Sequence, residues 1–206
     1  MHSGAIDSKT KSVLEKIVKS GMAKKFYLAG GTALAIQIGH RKSIDLDFFS
    51  GEKFSVSSLK KKLSKIGKFR LDHEEEQTLS GSLDGVKISF FHYDYKLLFP
   101  PVSFSGVKLA DERDIAAMKI DTISARGGKK DFIDIYFLLK KYSIAKIIGM
   151  FEKKYSGIGY NKLHILKSLA YFDDAEKEPM PEMIEKIKWE AMKKDISAKI
   201  KSFRGL

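Results

Sequence analysis

The sequence contains no cysteine, which excludes disulfide bonds and metal sites built from thiolates. Proline is scarce, with four residues, and no stretch approaches the roughly 20 consecutive apolar residues that a membrane-spanning helix requires. The first residues also lack the apolar core of a secretory signal. We therefore expect a cytoplasmic protein with no membrane segment.

The composition is otherwise that of a globular protein with a strong excess of basic residues. Apolar residues make up 43% and charged residues 31% of the 206 positions, and the formal net charge is +12. A basic surface concentrates polyanions such as RNA and accelerates their capture. Solubility or an acidic protein partner would account for the same excess, so charge alone does not identify the partner.

The periodicity of apolar residues changes along the chain. Strand patterns and helices mix up to about Tyr142, and Asp84-Gly85 between two alternating runs predicts a type I′ hairpin. Beyond Tyr142 the pattern predicts only helices, at roughly 143–155, 161–171 and 182–203. The order indicates an α+β fold: a mixed sheet flanked by helices over 1–142, followed by a small helical subdomain over 143–206.

One segment of the first part, Gly30 to Phe49, carries residues suited to phosphate and metal binding. Gly30, Gly31 and Thr32 lie between a predicted strand and a helix, where the backbone approaches a ligand closely and helix amides bind an anion. Asp45 and Asp47 follow on a predicted strand, where alternate residues point to one face. Paired carboxylates suit Mg²⁺, so the segment indicates phosphoryl-group transfer.

Each feature has a simpler explanation when taken alone. A glycine pair is a common turn, and an Asp-x-Asp strand often displays solvated carboxylates. Glycine turn, helix and aspartate pair occur here in one order, with Asp45 fourteen residues after Gly31. That combination favours the interpretation as a binding site.

The stretch from Leu28 to Phe49, Leu-Ala-Gly-Gly-Thr-Ala-Leu-Ala-Ile-Gln-Ile-Gly-His-Arg-Lys-Ser-Ile-Asp-Leu-Asp-Phe-Phe, resembles the AbiEii/AbiGii-type nucleotidyltransferase toxins. The resemblance implies a polymerase-β-like core, an NTP substrate and Mg²⁺ (or Mn²⁺) held by Asp45 and Asp47. It also implies a toxin of an abortive-infection or toxin–antitoxin system, a cognate antitoxin, and an acceptor hydroxyl on tRNA, another RNA or a protein. The implied nucleotide contacts include His40, Arg41 and Ser43. A polar turn between helix and strand is the simpler alternative for the first two.

A second block, around Lys119 to Asp134, resembles the downstream motif of the same family. Lys119 and Arg126 are seven residues apart, so a helix presents both on one face, and the pair would suit a triphosphate. Lys130 completes the basic part of the motif, and Asp131 and Asp134 are candidate catalytic acids. Asp131 has an equally weighted structural interpretation as the N-cap of the following helix.

The sequence departs from the superfamily pattern at one position. Polymerase-β-type enzymes commonly carry a third carboxylate on a later strand, and Ser89 occupies the expected place here. Asp131 or Asp134 would then substitute, water would take the proton, or the enzyme would be weak or inactive. Two hypotheses therefore remain: a nucleotidyltransferase, and a catalytically silent module that binds nucleotide or nucleic acid.

Overall fold

The structure, a computed structural model, describes residues 1–203 and divides the chain into two compact units. Unit 1 spans Met1–Asp111, and unit 2 begins at Glu112. The strands of the described chain all lie in unit 1 and are β1 (Tyr27–Ala29), β2 (Leu46–Ser50), β3 (Phe69–Glu75), β4 (Thr78–Leu83), β5 (Val86–His92), β6 (Val102–Phe104) and β7 (Val107–Leu109). The α-helices are α1 (Ser8–Lys19), α2 (Gly30–Ile38), α3 (Val56–Ile66), α4 (Glu112–Ala125), α5 (Lys129–Lys141), α6 (Ile144–Lys154), α7 (Lys162–Ser168), α8 (Asp173–Glu176) and α9 (Trp189–Lys201).

The strands of unit 1 form one mixed sheet in the order β3-β4-β5-β2-β1-β7-β6. β2 runs parallel to β5 and antiparallel to β1, while β1 runs parallel to β7. The two strands predicted to carry the site, β1 and β2, thus lie at the centre of the sheet. The prediction of a mixed sheet with flanking helices is confirmed.

Alternation along β2 divides its side chains between the core and the other face of the sheet. Leu46 and Phe48 are fully buried. Phe48 stacks on Phe90 of β5 with ring centroids 4.9 Å apart, and Phe26 packs edge-on against Phe90 at 5.1 Å. Such aromatic pairs each contribute about 0.5–1.5 kcal/mol beyond area burial, so the register of β2 is firmly set.

Local turn chemistry decides the connections within the sheet. Asp84 and Gly85 both have positive φ, at 50° and 76°, as the predicted type I′ hairpin requires. The strand Val107–Leu109 lies inside the sheet. β7 pairs with β1 on one side and β6 on the other, so the short Val102–Phe104 strand is the edge.

The described residues of unit 2 contain helices and no strand, and the unit begins earlier than the predicted subdomain boundary at 142/143. α4 and α5 pack on one another and on the helices that follow them. Their buried apolar residues therefore form one core with the tail helices. α8 was not predicted, because its four residues are too short to show helical periodicity. No helix among residues 1–203 has the length and hydropathy to cross a membrane.

Candidate active site

The glycine turn lies directly beside the second aspartate. Ala29, the last residue of β1, is paired with Asp47 of β2, so the next residue, Gly30, faces the Asp47 side chain. A Cβ on Gly30 would lie 3.3 Å from Asp47 Oδ2, and Gly30 has a φ of +68°. Both the close approach and the left-handed backbone favour glycine here. The sequence prediction that the turn and the carboxylates belong to one site is consistent with this contact.

Asp45 and Asp47 are half-buried and flank the buried Leu46. Asp47 is the second residue of β2, whereas Asp45 lies just before the strand begins. Since Leu46 and Phe48 point into the core, the carboxylates belong to the opposite side of the strand. Both carboxylate-bearing residues thus contact the first turn of α2, Asp47 through its side chain at Gly30 and Asp45 through its backbone at Thr32.

Thr32 fixes the approach of the chain to β2. The residue is buried, its hydroxyl bonds the backbone carbonyl of Asp45, and its Oγ1 lies 2.8 Å from Ser43 Oγ. The Thr32 side chain therefore positions Asp45 against the first turn of α2. Its backbone amide and those of Gly30 and Gly31 belong to that turn, where an α-helix offers no internal acceptor.

His40 and Arg41, predicted to contact phosphate, are buried between α2 and β2. Arg41 Nη1 donates to the backbone carbonyl of Lys42 at 3.0 Å. The N-terminal segment braces this connection, since the Ser43 amide donates to Ala5 at 2.9 Å. The sequence reasoning missed that bracing role, because no local pattern links Ala5 to Ser43.

Ser89 occupies the position that the sequence analysis expected. It is paired with Asp47 across the parallel strands β2 and β5, and it is 4% exposed. Its other neighbour is Ser80 of β4. The sheet therefore carries hydroxyl groups where a third carboxylate would face Asp45 and Asp47, the two residues called the dyad below. Asp94 lies beyond the end of β5, with a side chain 84% exposed and 3.4 Å from His92 Nε2.

The carboxylate oxygens of Asp45 and Asp47 suit Mg²⁺ if a bound substrate supplies the remaining ligands. No group of three or more His, Asp or Glu side chains among residues 1–203 is arranged to hold a metal ion. Mg²⁺ usually retains several waters and binds through one or two carboxylates together with substrate phosphates. Two carboxylates next to free helix amides match that requirement. Asp45 and Asp47 do not by themselves form a high-affinity metal site.

The second predicted block forms a buried ionic cluster in unit 2. Lys119 Nζ lies 2.7 Å from Asp131 Oδ1 and 2.7 Å from Asp134 Oδ2, and the Asp134 side chain is fully buried. Gly128 occupies the N-cap of α5 without a side-chain bond, so Asp131 is a residue of the first turn. The N-cap interpretation of Asp131 is wrong, because its carboxylate turns to Lys119 of α4. The catalytic role predicted for this cluster stays a prediction.

Arg126 and Lys130 are the remaining predicted nucleotide contacts, and both are exposed. Arg126 directly follows α4, and Lys130 is the second residue of α5. A second buried pair lies elsewhere in the same unit: Lys154 Nζ contacts Asp114 Oδ1 at 2.8 Å, with both side chains fully buried. The sequence reasoning missed this pair, because 40 residues separate its members and no pattern links them.

Comparison with known proteins is consistent with these features. A family model described as "Nucleotidyl transferase AbiEii toxin, Type IV TA system" matches residues 12–105 and 98–204. An uncharacterized protein of Aquifex aeolicus (strain VF5) is 40% identical over 199 residues, covering 94% of this chain and 95% of that protein.

Two solved structures share the fold at low sequence identity. JHP933 from Helicobacter pylori superposes with a TM-score of 0.57 at 16% identity, over 95% of this chain and 92% of that one. MenT4, a nucleotidyltransferase toxin from Mycobacterium tuberculosis H37Rv, gives a TM-score of 0.54 at 10% identity, over 97% of this chain and 87% of that one. With the family match covering nearly the whole sequence, this chain belongs to the AbiEii family of nucleotidyltransferase toxins of type IV toxin–antitoxin systems.

Proposed function

We propose that the chain transfers NMP from an NTP to an acceptor hydroxyl on RNA, with the acceptor end of tRNA favoured, in a Mg²⁺-dependent reaction in the cytoplasm. The observation that carries this proposal is the contact between the glycine turn and the dyad, where Gly30 meets the Asp47 carboxylate. That contact brings anion-binding amides and metal-binding oxygens to one place. The net charge of +12 supports a polyanionic acceptor.

Unit 1 supplies the groups that hold the triphosphate. The first-turn amides of Gly30, Gly31 and Thr32 bind phosphate oxygens, and the dipole of α2 favours their negative charge. Asp45 and Asp47 would hold Mg²⁺ or Mn²⁺, which supplies charge neutralisation on the phosphates when bound. The hydrogen bonds of Thr32 to the Asp45 backbone carbonyl and to Ser43 hold the chain that enters β2 in place before substrate arrives.

The reaction requires one bond to form and one to break. The acceptor oxygen attacks the α-phosphorus, and the bond from that phosphorus to the bridging oxygen of the β-phosphate breaks. Pyrophosphate leaves, and the proton of the acceptor hydroxyl passes to water or to the carboxylate of Asp131 or Asp134, because Ser89 replaces the acid that would face Asp45 and Asp47. Positioning and charge neutralisation therefore carry the catalysis. The roles predicted for His40, Arg41, Lys119, Arg126, Lys130, Asp131 and Asp134 remain part of this proposal.

The test is NMP transfer by the purified full chain. The protein is incubated with each labelled NTP, Mg²⁺ and total RNA or cell lysate, and the label is followed into tRNA, other RNA and protein. We expect label in tRNA, lost in Asp45→Ala and Asp47→Ala and retained in Asp94→Asn, which removes an exposed carboxylate outside the dyad. Label in protein alone would contradict the RNA acceptor.

Ser89 favours a second candidate, a catalytically silent module that retains the fold and binds nucleotide or nucleic acid. The two candidates separate in the same assay. NTP binding without transfer to any acceptor would support the silent module and reject the enzyme. The family also implies a cognate antitoxin. Growth arrest on expression that disappears with Asp47→Ala would tie toxicity to the dyad.

A further inference from the structure

A cavity in unit 2 is lined by one of the predicted nucleotide contacts, Arg126, and otherwise by residues with no predicted role. It measures about 370 Å³ and lies between the end of α4 and the α7 helix with the residues that follow it. Ligand cavities for small molecules begin at roughly 300 Å³, so this one holds a single nucleotide-sized group. The residues Arg126, His164, Lys167, Ser168 and Tyr171 are among those that line it.

Two of the lining side chains are cations that the protein itself does not neutralise. In residues 1–203, neither the Arg126 guanidinium nor the Lys167 ammonium forms an ion pair or a side-chain hydrogen bond. Asp174, the acid in the lining, is engaged by Lys177 at 3.0 Å. The cavity therefore has an uncompensated positive charge, which suits a phosphate group.

The remaining lining adds a ring surface and an oriented imidazole. Tyr171 is 55% exposed, so its ring is accessible to a ligand at the cavity. His164 Nε2 lies 3.2 Å from the backbone carbonyl of Ser124. A carbonyl only accepts hydrogen bonds, so Nε2 carries the proton there, which leaves Nδ1 facing away from that bond. An aromatic face beside two cations is the pattern that single-stranded nucleic-acid sites use, with the base stacked and the backbone phosphate paired.

We propose that this cavity binds one nucleotide unit of the single-stranded segment of the acceptor RNA, with its phosphate on Arg126 and Lys167 and its base on Tyr171. The inference rests on the proposed RNA acceptor and assigns it a second contact, apart from the nucleotide site of unit 1. A free nucleotide has the same chemistry as a unit of a strand, so the test separates the two.

The test measures binding by the full chain without catalysis. Fluorescence anisotropy follows a labelled single-stranded oligoribonucleotide about 12 nucleotides long, within the span that one such binding surface covers. A parallel titration uses a fluorescent ATP analogue. The variants are Lys167→Gln and Tyr171→Ala, while Arg126 is left intact because it is also a predicted triphosphate contact. Lys153→Gln is the charge-matched control, since Lys153 is exposed on α6 and lies outside the cavity.

We expect Lys167→Gln and Tyr171→Ala each to weaken oligoribonucleotide binding by about tenfold, and Tyr171→Phe to retain it because the ring remains. The slope of log affinity against log salt should fall by about 0.7 in Lys167→Gln, the value for one phosphate contact on a single strand. ATP-analogue binding should not change. Lys153→Gln should match the parent protein in both titrations.

Two outcomes overturn the inference while leaving the proposed function standing. An equal loss of ATP-analogue and oligoribonucleotide binding would make the cavity part of the NTP site. Unchanged oligoribonucleotide binding in both variants, alongside NMP transfer to RNA that still requires Asp47, would place the acceptor contact elsewhere. Failure of the proposed function itself appears only in the transfer assay.

Discussion

Ser89 lies directly opposite Asp47 in the register between the parallel strands β2 and β5. The dyad therefore faces a buried hydroxyl group on the neighbouring strand. Phe48 and Phe90 form the next pair in the register, and their stacked rings fix it. A register shift that would place another residue of β5 opposite Asp47 is therefore disfavoured.

Ser89→Asp introduces the missing carboxylate next to Asp47. Without a divalent ion the two acids repel in a site that is 4% exposed at residue 89, so we expect a lower melting temperature. Mg²⁺ should restore much of the loss, by binding the enlarged cluster and stabilising the folded state. Thermal unfolding with and without Mg²⁺ measures this. Ser89→Asn is the control, because asparagine has nearly the shape of aspartate and no charge. A Mg²⁺ response of equal size in both variants would reject Mg²⁺ binding by the added carboxylate.

Gly30→Ala tests the contact between the glycine turn and the dyad. The substitution places a Cβ 3.3 Å from Asp47 Oδ2 on a backbone with φ of +68°. We expect a loss of about 1–2 kcal/mol in the free energy of unfolding, measured by urea denaturation, and a larger fall in NMP transfer. Gly21→Ala is the matched control, because Gly21 also has positive φ, at 77°, but its added Cβ meets no atom within 4 Å. Equal transfer in the two variants would contradict a role for the Gly30–Asp47 contact.

Substitution of the two buried lysines of unit 2 distinguishes a catalytic role from a structural one. Lys119 pairs with Asp131 and Asp134, and Lys154 pairs with Asp114 in a wholly buried site. Removing either ammonium takes a cationic partner away from a buried carboxylate, which costs about 3–5 kcal/mol. We expect Lys119→Met and Lys154→Met to lose comparable stability by urea denaturation.

Only one of these two variants should lose catalysis. Lys119→Met should lose NMP transfer at least a hundredfold per folded molecule, if its predicted catalytic role holds. Lys154→Met, assayed where it remains folded, should retain activity. Equal specific activities in the two folded variants would show that the Lys119 cluster is structural.

Asp84 at the hairpin gives a prediction about pH. The Lys16 ammonium, at 2.8 Å, and the backbone amide of Lys68 hold the pKa of the Asp84 carboxyl below its ordinary value. A lowered folded-state pKa contributes stability above the unfolded value of about 3.9, and this is lost as the pH falls through the folded value. Asp84→Asn keeps a residue that tolerates the positive φ of the turn, so it removes mainly the charge.

The expected cost of Asp84→Asn is about 1 kcal/mol at pH 7, since the pair is partly exposed. The difference between the variant and the parent should shrink as the pH falls below 4. Urea denaturation at a series of pH values measures it. A difference that stays constant down to the lowest pH would attribute the effect to turn geometry.

The sequence by itself determined the parts of the site that are close together along the chain. Gly30, Gly31, Asp45 and Asp47 were identified because strand alternation and helix-start chemistry act over a few residues, and the alternation placed Leu46 and Phe48 in the core. The hairpin at Asp84-Gly85 followed from backbone conformations that few residue types adopt.

Only the tertiary structure decided relationships between distant residues. It turned Asp131 towards Lys119, paired Lys154 with Asp114, placed Val107–Leu109 inside the sheet, and joined α4 and α5 to the helical unit. These outcomes depend on which buried charges and apolar faces meet after folding, and local periodicity carries no information about partners dozens of residues away. The proximity of Gly30 to the dyad follows from the sequence pattern and the tertiary structure together. The pattern places Gly30 directly after β1, and the pairing of Ala29 with Asp47 brings the two strands side by side.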